Sequence, residues 1–363
     1  MKITPRKSSN HGVAIFLVLV SILALSFIAG VFAYKMRVET KLAMNSNNEA
    51  EMEWLGRSGI EMARYVLGLE LSSAGTGQRF DSLDQKWAGG EADTNDALAG
   101  ISLTDVPLGN GTFSVKITDT ERKININTAI NNEALMNQAL VQCGVDASEI
   151  PTIVGSIQDW IDRDDDTHVN GAESEYYQAL DPPYSAKNGP IDDLSELLLV
   201  KGVTPDIYWG PNSSNHPPSM YQQAALSTRS SSMLPTAPAV AAGLVDIFTP
   251  ISNGALNINT CSADELRMLG MDEATAQRII QLRAGPDGQD GTADDVPFNN
   301  PGEIINAGIP PQIAQQFLSM LTVRSTTFEV QVDVEVGTSK RRYFGLIRRN
   351  GPRQIDTLEM HWE

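Results

Sequence analysis

The feature that most constrains this chain is an unbroken apolar run near its start. Val13 to Tyr34 reads VAIFLVLVSILALSFIAGVFAY, 22 residues without a charge. About 20 apolar residues in a helix cross a bilayer core, because a helix satisfies its own backbone polar groups in hydrocarbon. Lys2, Arg6, Lys7 and His11 precede the run with no acid among them, which favours a cytoplasmic leader; Lys35, Arg37 and Lys41 on the other flank oppose that bias. A cleaved secretory signal has an apolar core of about 7–15 residues, shorter than this one, although Val31-Phe32-Ala33 ends in a small residue as a cleavage site would. The competing readings are a plain anchor, and a short basic leader that ends at Gly12 and is cut before Val13.

The pattern predicts that the helix continues past the membrane. Lys35 to Leu71 has no proline and many Ala, Glu, Met, Leu and Arg, with Met52, Leu55, Gly59, Met62, Ala63, Val66 and Leu67 at helical spacing. One helix from about Val13 to about Leu71 would be on the order of 85 Å long, apolar all round in its first half and amphipathic in its second.

Downstream the pattern changes. Ser72 to Gly111 is rich in Gly, Ser and Asp and reads as loop. Thr112–Thr118 and Phe328–Val336 alternate as strands do, Arg341–Arg349 follows a turn at Gly337-Thr338, and Ile355–Trp362 offers one more strand. Strands near both ends enclose a mostly helical middle. The expectation is therefore an α+β fold: a long N-terminal helix packed on an antiparallel sheet, with a large, mostly α-helical inserted domain. The middle carries a weak internal repeat, KININTAINNEALMNQAL from Lys123 and LNINTCSADELRMLG from Leu256. Both read either as two capped helix starts or as a duplicated helical unit. Pro211 to Thr236 is polar and rich in Pro and Ser, as a long surface loop or disordered insertion would be.

The 363 residues carry 45 acids against 27 bases, a formal net charge of -18. That surface repels nucleic acid and anionic headgroups and attracts divalent cations where acids share a loop. Cys143 and Cys261 form no CxxC pair, which argues against zinc; they are open to one disulfide or to two small buried positions. Gly-x-Ser-x-Gly, HExxH and Gly-Lys phosphate loops are absent, and His11, His168, His216 and His361 are scattered. The acids of Asp159–Asp166 could act as an acid/base pair in a hydrolase, but no accompanying pocket residues are legible, so no enzyme is expected.

Two acidic loops carry the chemical signal. Asp159 to Tyr177 reads DWIDRDDDTHVNGAESEYY. Counted from Asp162, oxygen donors fall at the first, third, fifth, ninth and twelfth places as Asp162, Asp164, Asp166, Asn170 and Glu173, with the His168 carbonyl at the seventh. This is the spacing of a calcium-binding EF-hand loop, except that Thr167 stands where glycine makes the sharp turn. The adjacent carboxylates Asp164, Asp165 and Asp166 repel one another unless a cation offsets them; magnesium suits such a loop less well. The second loop, AGPDGQDGTADDVPF from Ala284, sets Asp287, Asp290, Asp294 and Asp295 among three glycines, as a cation site or as an ordinary turn-rich tip. Calcium is the expected cofactor, with Asp159, Asp162, Asp164, Asp165, Asp166, Asn170 and Glu173 as candidate ligands in the first loop and Asp287, Asp290, Asp294 and Asp295 in the second.

LNINTCSADELRMLGMDEATAQRIIQLRAG resembles a helix-hairpin-helix unit of competence-type DNA receptors. In such units hairpin amides and a helix N-terminus hold phosphate. Here Gly270 is followed by Met271, Asp272 and Glu273, which places two carboxylates where phosphate would approach; Leu198–Tyr208, with Gly202 and Asp206, has the same look. The unit is therefore expected to serve packing or protein contact, and no nucleic-acid partner is expected.

The His11-Gly12 join to the apolar run resembles a type IV prepilin leader. Most pilins and pseudopilins carry glutamate at the fifth mature residue; here it is Leu17. That departure, KININTA, the DWIDRDD run, LNINTCSADEL and Gly171–Tyr208 together resemble the K-type minor pseudopilin of bacterial type II secretion systems. The resemblance touches most of the chain and leaves out the Pro211–Thr236 loop. It implies residues 1–12 as leader, 13–34 as membrane helix, 35–122 and 324–363 as a pilin-like domain, and 123–323 as a helical insertion. It also implies prepilin-peptidase cutting between Gly12 and Val13 with methylation, a single-pass inner-membrane protein with its bulk in the periplasm, and a non-catalytic tip complex with the I and J minor pseudopilins. A tip subunit has no subunit above it to pair with a buried carboxylate, which suits Leu17. Family members are reported to bind calcium. The alternative from another class is a membrane-tethered, calcium-dependent adhesin or binding module.

Overall fold

The computed structural model describes residues 11–73, 80–90, 98–211 and 242–362. Helix α1 runs from His11 to Ser73, 63 residues without a break. Its first part, apolar and exposed throughout, is the one described stretch long and apolar enough to cross a membrane. Its second part lies on a five-stranded antiparallel sheet of order β1-β2-β7-β8-β9, formed by Val106–Leu108, Gly111–Asp119, Thr327–Val336, Ser339–Gly351 and Gln354–Trp362. The helix meets the sheet through Met52, Leu55, Ile60, Ala63, Val66 and Leu67, packed on Phe113, Val115, Phe328, Val330 and Val332. Two glycines set the distance of approach: a Cβ at Gly56 would lie 2.6 Å from the Tyr343 ring, and one at Gly59 would overlap Val332. Glycine weakens a helix interior by about 1 kcal/mol relative to alanine, and here that loss is offset by close packing. The fold is α+β, as the patterning implied.

Between β2 and β7 the chain leaves the sheet and builds a separate hydrophobic core from short helices. This insertion is a duplicated unit. In its first half, β3 (Ile124–Asn125) leads into Asn127-Thr128, and Ile124 pairs in parallel with Phe248 of β4 (Phe248–Thr249). In its second half, β5 (Leu256–Asn257) leads into Asn259-Thr260, and Leu256 pairs in parallel with Leu321 of β6 (Leu321–Thr322). The same hydrogen bonds recur. Asn125 Oδ1 accepts from Asn127 N at 2.9 Å, and Asn257 Oδ1 from Asn259 N at 2.9 Å. The amide of Asn127 takes both the N–H and the C=O of Ile191, as the amide of Asn259 takes both from Phe298. Each such Asn mimics a strand neighbour and ties a remote strap to the start of its unit, which satisfies buried backbone groups. The repeat is thus more than a pair of helix caps.

The second half is bolted to the sheet by buried polar groups. Asp119 Oδ2 accepts from Thr260 Oγ1 at 2.6 Å, Ser325 Oγ at 2.6 Å and Asn257 Nδ2 at 3.2 Å. Glu121 accepts from Thr326, Thr327 and Asn253, and Arg349 pairs with Asp81. Burial, then the neighbouring Glu121 charge, pushes the Asp119 carboxyl well above its ordinary value. Cys143 and Cys261 are free and buried, and burial raises both thiols to about 12, which leaves them inert. The Pro211–Thr236 loop lies outside the described residues, except for Pro211 itself.

Candidate metal centre

Helix α4 (Ile150–Ile161; helices α2 and α3 being Ile126–Ala129 and Glu133–Gln142) has Pro151 in its first turn and ends in the acidic loop of the first half. Its apolar stripe, Ile150, Ile153, Val154, Ile157 and Trp160, faces the core. That stripe carries Asp159 inside with it, 0% exposed. The loop folds back so that the His168 backbone N–H and ring Nδ1 reach Asp159 Oδ1 at 2.9 and 2.6 Å. Asp162 Oδ2 stands 3.6 Å from the same ring nitrogen. Ligating atoms of Asp159, Asp162 and His168 lie within 4.8 Å of one another. Glu173, just before helix α5 (Ser174–Gln178), is buried against them at 4% exposure.

The oxygens of this cluster are unsatisfied. Asp159 Oδ2, Asp162 Oδ1 and both oxygens of Glu173 are buried without a hydrogen-bond partner. Burial first, and then Asp159, Asp162 and Asp165, push the Glu173 carboxyl up to about 7. Burial and Asp164 likewise raise Asp162. Unpaired buried carboxylates cost several kcal/mol, so a native structure pairs them or gives them a metal. Hard oxygen donors in a flexible loop fit calcium better than magnesium, which demands a tighter octahedron. The residues present therefore fit the cation.

The sequence spacing and this geometry overlap only in part. Asp162 and Glu173 are brought together, joined by Asp159. Asp164, Asp166 and Asn170 are exposed on the rim; Asp164 Oδ1 accepts from Asp166 N, and Asp165 Oδ1 accepts from Asn188 Nδ2. The His168 carbonyl accepts from Gly171 N, and it is the ring, not the carbonyl, that faces the acids. Spacing counted from Asp162 passes over His168's side chain and Asn188. Asp159, already counted among the candidate ligands, comes inside because the helical period sets it on the inward face beside Trp160.

The second acidic loop follows helix α9 (Glu273–Arg283; helices α6, α7 and α8 being Pro205–Trp209, Leu244–Ile247 and Ala263–Met268) at the corresponding place in its half. Its acids already have partners. Arg283, 4% exposed, grips Asp290 through Nε at 2.9 Å and Nη2 at 2.6 Å, and its Nη1 donates to the Ile258 and Cys261 carbonyls. Asp294 accepts from Asp287 N and Thr292 Oγ1, and Asp295 from Gly291 N and Thr292 Oγ1. The hydroxyl of Thr292 and a backbone N–H hold Asp294 below the usual carboxylate range. In the hairpin before α9, Gly270 takes φ +100°, and the Asp272 side chain caps the helix by accepting from Thr275 N and Oγ1. A carboxylate therefore occupies the helix end that holds phosphate in DNA-binding hairpins.

The family description Type II secretion system (T2SS), protein K fits residues 122–209. Curated proteins of that description resemble the chain. One from Klebsiella pneumoniae is 29% identical over 164 residues, covering 40% of this chain and 46% of its own. One from Escherichia coli K12, described as putative, is 25% identical over 213 residues, 55% of this chain and 60% of its own. One from Pectobacterium carotovorum is 29% identical over 115 residues, 28% and 35% of the two chains. The chain thus spans between about a third and three fifths of the length of these relatives. A chain in the crystal structure of the GspK-GspI-GspJ complex from the enterotoxigenic Escherichia coli Type 2 Secretion System shares the fold: TM-score 0.62, 19% identity, 88% of this chain and 99% of that one.

Proposed function

The family recognised in the sequence, type II secretion system protein K, is the one these comparisons return; on that premise we propose that this chain is a minor pseudopilin at the tip of the secretion pseudopilus. It would be cut between Gly12 and Val13 by prepilin peptidase and stay anchored in the inner membrane, with residues beyond Tyr34 in the periplasm. There it would join I- and J-type minor pseudopilins to start or cap the filament during export of folded proteins. The role involves no catalysis. The observation that carries it is the shape: an apolar helix continuous with a sheet-backed stalk, crowned by a bulky insertion. The Val13–Tyr34 segment holds no carboxylate, and Leu17 stands at the position where repeating subunits pair through one. A cap fits both features, since nothing stacks above it.

Calcium belongs to the same reading. Asp159, Asp162 and Glu173 would hold the ion, which would neutralise their oxygens and fix the loop that ends α4. For Asp287, Asp290, Asp294 and Asp295, Arg283 already does part of that work.

Deleting the gene in its host tests the role. Secreted enzymes should accumulate in the periplasm, and the wild-type gene should restore export, while Gly12→Leu leaves the chain uncut and restores nothing. Unchanged export after deletion would overturn the secretion role in favour of a tethered adhesin.

A further inference from the structure

Both covalent links between stalk and insertion pass through one place. The chain leaves the sheet at the end of β2 and the turn Thr120–Arg122, and it returns through residues 323–327 into β7. Residues 80–90 brace the same place: Phe80 packs on the insertion core, and Trp87 stands edge-on to Phe328 of the sheet at 5.3 Å. Two buried carboxylates sit at the crossing, Asp119 and Glu121. Between them they hold both passages. Asp119 Oδ1 accepts from Glu121 N at 2.8 Å, and its Oδ2 accepts from Ser325 Oγ on the returning passage as well as from Asn257 and Thr260. Glu121 Oε1 accepts from Thr326 N and Oγ1 at 3.2 and 2.7 Å and from Asn253 N at 3.3 Å, and Oε2 accepts from Thr327 N at 3.2 Å.

The charges at this crossing do not balance. Asp81, from residues 80–90, and Arg349, from β8, are the other buried charged groups there. Arg349 is turned to Asp81 and to the Leu67 and Ser325 carbonyls. Lys123 Nζ donates to the Val245 carbonyl at 2.8 Å, and Arg122, Arg324 and Glu329 reach solvent. The groups of β5 and the returning passage that face the pair are neutral: Asn257, Thr260, Ser325, Thr326 and Thr327. Two like charges side by side in a dry site oppose each other's ionisation, so the pair keeps one proton and titrates as a unit. Burial and the Glu121 charge, which raise the Asp119 carboxyl, agree with this.

We propose that this shared proton latches the hinge between stalk and insertion: while the Asp119–Glu121 pair holds it, the insertion keeps one orientation on the sheet, and once the pair loses it, the insertion swings about the two chain passages. The two hydrophobic cores are separate, so each stays packed while their relation changes. Room for the swing lies beside the latch. A cleft of about 340 Å³ separates Leu194, Val245 and Phe248 of the insertion from Phe344 and Leu346 of the sheet. A carboxyl raised in the folded state is protonated below its folded value, so the latch holds in acid and opens as pH rises through neutrality.

The test uses the full chain in detergent micelles. Tyr65→Cys on α1 and Arg278→Cys on the insertion, both exposed, carry spin labels, while the native Cys143 and Cys261 are buried. At about pH 6 the distribution of label separations should be narrow; at about pH 9 it should widen roughly twofold or gain a second peak. With Asp119→Asn added it should stay narrow at both. Amide hydrogen exchange, corrected for its intrinsic rise with pH, should speed by about tenfold at residues 257–260 and 323–327 and hold steady in α4 and β8. A distribution that ignores pH, a widening that survives Asp119→Asn, or exchange that speeds equally in both cores would overturn the latch. Should Asp119→Asn fail to fold, Glu121→Gln removes the other charge of the pair and is judged by the same outcomes.

Discussion

The two halves of the insertion share a hydrogen-bond plan and differ in how they manage charge. Each begins with Asn-x-Asn-Thr, each ties a remote residue through an Asn amide, and each sends an acidic loop out of the end of a helix. In the first half Asp159, Asp162 and Glu173 turn inward and leave oxygens unpaired; in the second a buried arginine from the preceding helix meets Asp290. A guanidinium is a permanent cation with fixed donors, whereas a metal site is loaded according to ion concentration. On the calcium reading proposed above, one acidic loop is rigid by construction and its duplicate conditional on a ligand.

The sharpest way to break this contrast is to remove the built-in cation. Arg283→Met should cost about 3 kcal/mol, because it leaves the Ile258 and Cys261 carbonyls without their donor, while Asp290, on the surface, is rehydrated. Denaturant unfolding of the part beyond the apolar run, in excess calcium, measures it; a loss below about 1 kcal/mol would mean that the second loop does not depend on Arg283. Next in size is removal of the proposed metal. A chelator should lower stability by about 2.7 kcal/mol from a starting calcium concentration a hundredfold above Kd. Differential scanning calorimetry should register this in the parent and in Asp290→Asn, but not in Glu173→Gln.

A third experiment concerns attachment to the sheet. In the first half Asn125 Nδ2 donates to the Ser252 carbonyl, while in the second half Asn257 Nδ2 and Thr260 Oγ1 donate to Asp119 at the end of β2. The Asp119 carboxyl is raised in the folded state, so folding takes up a proton. The resulting stability is fully present below about pH 4 and is lost as pH rises through neutrality towards the folded value. One such group gives a slope of at most about 1.4 kcal/mol per pH unit. Asp119→Asn should remove that slope from melts taken between pH 5 and 8, and Asn125→Ala should leave it in place. The smallest effect separates the two roles of Glu173. Without calcium, Glu173→Gln should stabilise the protein by roughly 1 kcal/mol by relieving like-charge crowding, although it abolishes the gain from calcium; a destabilised calcium-free variant would mean that the cluster is satisfied without an ion.

Much of this was legible in the residues. The membrane-length run and its amphipathic continuation predict α1, since both patterns are local and set by helical period. Alternation predicts β2, β7, β8 and β9 to within a few residues for the same reason. The repeated Asn-x-Asn-Thr announced a possible duplication without saying what it does, because Ile191 and Phe298, the residues that its amides bind, lie 64 and 39 positions away. The acidic loops were visible, but not which of their acids turn inward.

What the sequence by itself determined is therefore the anchor, the stalk, the strands and the placing of acid-rich segments, all properties of short windows of chain. Tertiary structure alone decided that Asp159 shares a buried cluster with Asp162 and Glu173, that Asn188 leans on the same loop, and that Arg283 answers Asp290. Those outcomes depend on which remote surfaces close over a carboxylate. Burial is what turns a solvated charge into one that needs a partner, and burial is a property of the whole fold.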